Sequence, residues 1–129
     1  MNKIVQIKVF NDVLDKFFEY LGSEFPYFMS DLILTKGMID SVRKSNPRLV
    51  VQQFLQYIAP YERQIMECDE DFFLNFENNI SLDKENMMFG LKLKSMWLSN
   101  TDQSSEKTLR QKATVFHMFM KLLKIGKTI

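Results

Sequence analysis

The chain has 129 residues, 46% of them hydrophobic, a size and composition that suit one domain around a single core. With only four Gly and three Pro it is short of turn formers, which disfavours a many-stranded β-sandwich. The net charge of +1 hides a division: residues 60–85 hold two basic and eight acidic groups, residues 86–129 eight basic and two acidic. The simplest expectation is that these two segments attract each other in the fold.

The first predicted element is a helix from Ile4 to Phe25. Ile7, Phe10, Leu14, Phe17, Phe18, Leu21 and Phe25 fall within an arc of roughly 100°, with Lys8, Asp12, Asp15, Lys16 and Glu19 opposite. Pro26 restricts the residue before it to extended geometry and so ends the helix. PYFMSDLILTKGMIDSVRKS follows, where Leu32, Ile33, Ile39 and Val42 suit a second helix. Gly37 costs about 1 kcal/mol relative to Ala inside a helix and marks a possible break into two pieces. Asn46-Pro47 is the strongest start signal: a side chain able to cap free N–H groups, then a ring already at helical φ. The third helix then carries no charge from Leu49 to Tyr61. Val50, Phe54, Tyr57, Ile58 and Tyr61 form its apolar face, widened by Val51 and Leu55, and Gln52, Gln53 and Gln56 the other. This is the expected central helix.

Pro60 kinks that helix or begins another, YERQIMEC, which carries Ile65 inward. MECDEDFFLNF and the polar turn ENNIS come next. A further helix is expected from Asp83 to Leu98, with Met88, Leu91, Trp97 and Leu98 inward and Gly90 weakening it. SNTDQSSE forms the loop before a last helix that begins near Ser104 or Ser105 and ends before Gly126, a natural C′ residue. Leu109, Ala113, Phe116, Phe119, Met120 and Leu123 are its expected inner face. No stretch alternates like a strand and no repeat is present. The expected fold is all-α: one domain over 1–129, a bundle of five to seven helices.

Chemistry is sparse. A calcium loop begun at Asp69 would place Phe73, Leu74 and Ile80 where an oxygen ligand, a Gly and a Glu are required. One Cys and one His are too few for a zinc site. Asp69, Glu70 and Asp71 are better read as the start of a helix, where carboxylates satisfy free N–H groups and the dipole. As a catalytic pair they would need two different environments, and neighbours on one turn share theirs. His117 falls among surface cations, and Cys68 lacks a nucleophile signature around it. P-loop, dinucleotide, hydrolase-elbow and zincin motifs do not occur. The expectation is therefore a non-enzyme with no catalytic, cofactor or metal-binding residues. A lone Cys68 allows no internal disulfide and suits a reducing compartment. The start, MNKIVQIKVFND, lacks a secretory signal, and no apolar run reaches the roughly 18–20 residues of a membrane span. The Asn79-Ile80-Ser81 sequon is then a chance match.

Two surfaces remain as candidates. Lys107, Arg110, Lys121 and Lys124 lie within roughly 100° of one another on the last helix, with Lys127 just beyond, a stripe able to contact phosphates without reading sequence. The charge-free face at Gln52, Gln53 and Gln56 is a possible partner surface. Twelve Phe and nine Met make an adaptable apolar content that also suits a protein partner.

With SNPRLVVQQFLQYIAPYERQI, DEDFFLNF and MFGLKLKSMWLS in view, the chain resembles small uncharacterised helical proteins of large nucleocytoplasmic DNA viruses. The aromatic last helix with its short Lys- and Gly-containing tail is similar too. The resemblance implies a viral origin and an intracellular setting, host cytoplasm or virion, and brings no catalytic residue with it. A non-enzymatic interaction module, a virion component or adaptor, is the leading expectation. An accessory nucleic-acid-binding factor using the basic stripe is the alternative.

Overall fold

A computed structural model describes residues 2–72, 93–100 and 104–129. Six α-helices are assigned: α1 (Lys3–Glu24), α2 (Met29–Ser45), α3 (Pro47–Ile58), α4 (Glu62–Met66), α5 (Leu93–Leu98) and α6 (Glu106–Lys127). Single 3₁₀ turns at Pro26–Phe28 and Ala59–Tyr61 connect α1 to α2 and α3 to α4. There is no strand among the described residues, so the fold is all-α. The expected five to seven bundle helices are not matched. Only α1, α2, α3 and α6, of 22, 17, 12 and 22 residues, are long enough to build the bundle among the described residues. Two local features account for this. Pro60 yields one 3₁₀ turn and then a helix of only five residues. Gly37 does not break α2, because Leu32, Thr35 and Ile39 bury one side of it and hold the helix through a single weak position.

The starts are capped as their residues dictate. Asn46 Oδ1 accepts from Leu49 N–H at 3.3 Å ahead of Pro47, and Ser105 Oγ accepts from Thr108 N–H at 3.1 Å. Asn2 caps α1 by accepting from Ile4 N–H at 2.7 Å.

α1 runs antiparallel to both long neighbours. Gln6 donates to Thr128 at its beginning and Tyr20 meets Thr114 near its end, which orients α6. Asp15 meets Arg43 while Gly22 lies against Met29, which orients α2. The core is a chain of aromatic contacts across these helices. Phe10 meets Phe54 edge-on at 5.3 Å, and Phe119 touches Phe17 at 5.2 Å, Phe54 at 6.3 Å and Phe72 at 5.7 Å. Every residue of the predicted α1 face except half-buried Ile7 is buried.

The inner face of α6 departs from its predicted position. Thr108, Gln111, Lys112, Val115, Phe116, Phe119, Leu122, Leu123 and Gly126 are buried, whereas Ala113 is exposed and Leu109 is 54% exposed. The buried arc is turned by roughly 80° from the hydropathy estimate, at 100° per residue. Polar side chains occupy it with partners, Thr108 with Ser105, Gln111 Oε1 with Asn100 and Lys112 with Glu70, while Gln111 Nε2 is enclosed without a hydrogen bond among the described residues. Gly126 is likewise no C′ residue. It lies inside α6 with no positive φ, where an added Cβ would meet Leu55 Cδ2 at 3.1 Å and Phe10 Cε2 at 3.4 Å. It is there so that α3 and α1 can approach.

Of the remaining expectations, Leu98 is 56% exposed instead of inward, while Met88, Leu91, the ENNIS turn, the sequon and the 101–103 part of the loop lie outside the described residues.

Candidate functional site

The acidic turn comes first in chain order. Cys68 has φ 53°, the left-handed region, and stands where a helix commonly places Gly. Cys68 N–H donates to Ile65 C=O at 3.1 Å and Asp69 N–H to Gln64 C=O at 2.9 Å, the paired closing bonds of a Schellman motif. Asp69 then opens the next helical turn. Its Oδ1 accepts from Asp71 N–H at 3.0 Å and its carbonyl from Phe72 N–H at 3.1 Å, while Phe72 is buried. Glu70 Oε1 accepts from Lys112 Nζ at 2.6 Å. Asp69 and Glu70 thus have structural duties, and the rest of the helix expected to start here lies outside the described residues. No group of three His, Cys, Asp or Glu side chains able to hold a metal ion occurs among the described residues. No helix there is long and apolar enough to cross a membrane.

The expected attraction between the acidic and basic segments is present in two bridges. Lys112 joins Glu70, and Lys127 joins Glu62 at 2.8 Å. The second removes Lys127 from the set of unpaired cations. Lys107, Arg110, Lys121 and Lys124 are exposed and form no ion pair among the described residues. Because the buried arc of α6 is turned from its predicted position, these four stand squarely opposite the core, with exposed His117 in their midst. From Lys107 to Lys124 they cover about 25 Å at 1.5 Å per residue.

At its C-terminal end this stripe borders a groove of about 570 Å³ between α4 and α6. Lys121, Lys124 and Lys127 edge it, with His117 nearby and Glu62 on the α4 side. Met66, Met120 and Leu123 supply its apolar lining. Sequence reasoning found the cations and missed the groove. Its other wall, α4, is about fifty residues away in the chain, and no local pattern announces that approach.

The outer face of α2 is the second surface. Tyr27 is 90% exposed, Ile33 63%, Leu34 61%, and Met29 stands out as well. Met29, Ile33 and Gly37 form one i,i+4 row beside the α1–α2 groove, and Leu34, Met38 and Ser41 line the shallow surface next to it. Of Leu32, Ile33, Ile39 and Val42, the apolar residues that suit this helix, Ile33 is the one that stays exposed. The signal was available: Leu32, Ile33 and Leu34 are consecutive, so they span about 200° of a helix and cannot share one face. The predicted Gln surface divides differently. Gln52 and Gln56 are exposed, but Gln53 is half-buried, its Oε1 enclosed without a hydrogen-bond partner.

Two polar clusters join helices rather than offering a reactive group. Arg43 donates from Nε to buried Asn11 at 2.8 Å and from Nη1 to Asp15 at 2.8 Å, and Lys36 lies 3.5 Å from the same carboxylate. Burial pushes the Tyr20 hydroxyl above its usual range; the hydrogen bond with Thr114 opposes this, the Glu24 carboxylate adds to it and the Arg110 cation opposes it. Cys68 and His117 make no hydrogen bond to each other.

Compared with protein-family models, curated proteins and solved structures, the chain matches none.

Proposed function

We propose that the protein is a non-enzymatic helical protein–protein interaction module, a virion component or adaptor of a large DNA virus, acting in the host cytoplasm or the particle. The viral setting rests on the resemblance carried by its sequence. The interaction role rests on the outer face of α2, where Met29, Ile33 and Leu34 are exposed, with Tyr27 exposed in the 3₁₀ turn just before it. Fully burying one such side chain contributes about 1.5–3 kcal/mol, so a partner covering several of them has a large apolar gain available. Contiguous exposed apolar surface of this kind marks interaction sites more often than scattered single residues do. Gly37 adds to the argument. A Cβ there would meet nothing within 4 Å, so packing within the chain does not require a glycine, and its bare backbone leaves room for close approach from outside.

A photo-crosslinking residue in place of Ile33 tests this in extract of the cells that produce the protein. A discrete protein adduct is expected, absent when the crosslinker replaces exposed Lys44 and lost when Leu34→Asp is added. The same adducts from both positions, or none from Ile33, would remove the reading. An accessory nucleic-acid-binding role through α6 is the second reading, favoured by its four unpaired cations. The groove beside two of them speaks for a different ligand.

A further inference from the structure

We infer that the groove between α4 and α6 binds an acidic amphipathic segment of a partner protein, its carboxylates on Lys121 and Lys124 and its apolar side chains on Met66 and Met120. The inference concerns a different surface from the α2 face and does not depend on it.

Charge complementarity identifies the ligand's sign. Lys121 and Lys124 edge the groove without an ion pair, and Lys127 stands beside them already neutralised by Glu62 at 2.8 Å. The free charge facing a ligand is therefore positive, and the groove's one carboxylate among the described residues is already engaged. The lining identifies the ligand's other property. Met66, exposed on α4, and Met120, half-buried on α6, present thioether side chains together with Leu123. Methionine is flexible and polarizable, so such a lining adapts to differing apolar side chains. A nucleic-acid backbone would meet the lysines but bring nothing apolar to cover the methionines. Among the described residues the groove's one ring is the His117 imidazole, so no series of aromatic faces is present on which successive bases would stack. An amphipathic helix laid in a groove satisfies both halves at once, with carboxylates along one edge and apolar anchors at i, i+3 or i+4.

The geometry also separates this site from general cation attraction. Lys107 and Arg110 belong to the same stripe but lie more than a helical turn beyond the groove, whereas Lys121 and Lys124 line it. Replacing the two pairs should therefore have unequal effects.

The test uses the full chain and three labelled probes: a sixteen-residue peptide of Glu and Leu in helical amphipathic order, the same peptide with Ser for Leu, and duplex DNA. Fluorescence anisotropy is read at low and at physiological salt. The Glu/Leu peptide is expected to bind at least about tenfold more tightly than the Glu/Ser peptide, retaining measurable affinity at the higher salt, where free charges are screened beyond about 8 Å. Lys121→Glu with Lys124→Glu is expected to weaken it about tenfold or more, Met66→Gln with Met120→Gln by a similar factor, and Lys107→Glu with Arg110→Glu much less. Leu34→Asp on α2 should leave it unchanged, which keeps this result apart from the crosslinking one. Equal binding of both peptides would reduce the site to charge alone. DNA binding that exceeds the Glu/Leu peptide and responds to all four cations would assign the stripe to nucleic acid. Self-association abolished by Lys121→Glu with Lys124→Glu would assign the groove to a second copy. Each of these three outcomes, like an absence of peptide binding, overturns the inference. Thermal melts of every variant establish that the fold is retained.

Discussion

Tyr20 shows how a single residue can couple the fold to solution conditions. It sits half-buried between α1 and α6, and burial raises its hydroxyl pKa against the opposing Thr114 hydrogen bond. The folded protein then holds this proton more firmly than the unfolded chain, whose tyrosines titrate near about 10. The contribution to stability is complete below that pH and is lost as pH rises through the higher folded value, because there only the unfolded state has released the proton. Stability should accordingly decline above about pH 10, and Tyr20→Phe should flatten that part of the curve in denaturant melts taken from pH 8 to pH 11. Other residues explain where hydropathy misled. Lys112 has a side chain only 11% exposed, yet as a lysine it would be placed in solvent by any pattern. Glu70, forty-two positions earlier, is what makes its burial tolerable.

At the scale of the element, the helices obeyed their local signals at the start and diverged in the interior. Asn46-Pro47 and Ser105 were legible because a cap is a contact within three residues. The two glycines were not, since both were read as punctuation and neither punctuates. Gly37 lies in an uninterrupted α2 with open space where its side chain would be. Gly37→Ala should therefore raise stability by about 0.5–1 kcal/mol, through helix propensity alone, as measured by urea unfolding. Gly126→Ala should gain less or lose, because Leu55 at 3.1 Å must give way first. If the two substitutions act alike, the distinction between an open and a packed glycine fails. An altered partner affinity in the Gly37 variant, with stability raised, would accord with close approach to that surface.

Across the whole molecule, Phe119 ties three separate stretches of chain together. Its ring meets Phe17 of α1, Phe54 of α3 and Phe72 beyond the acidic turn. Truncation there removes contacts from three directions that cannot all collapse inward. Phe119→Ala should cost about 3–5 kcal/mol, with a fall in thermal midpoint to match. Phe28, buried at the edge beside the first 3₁₀ turn, has fewer ring partners and should cost less when replaced. The two proposed surfaces also separate at this scale: the apolar face belongs to α2, and the cationic groove to α4 and α6. They are distinct enough for two partners, or for two parts of one.

What the sequence determined alone was whatever depends on neighbours along one helix. The all-α class, the run of α1 and its buried face, the capped starts and the basic stripe all repeat at a period of 3.6 residues, and that period is visible in a linear string. Tertiary structure decided what depends on residues far apart in the chain. It set the rotation of α6, where Glu70 and Asn100 accommodate polar side chains. It gave Gly126 its place against Leu55 and Phe10. It paired Lys127 with Glu62 while leaving Lys121 and Lys124 free, and it brought Met66 of α4 alongside them. The physical reason is common to all of these: burial and electrostatics act through space, and only folding sets those distances.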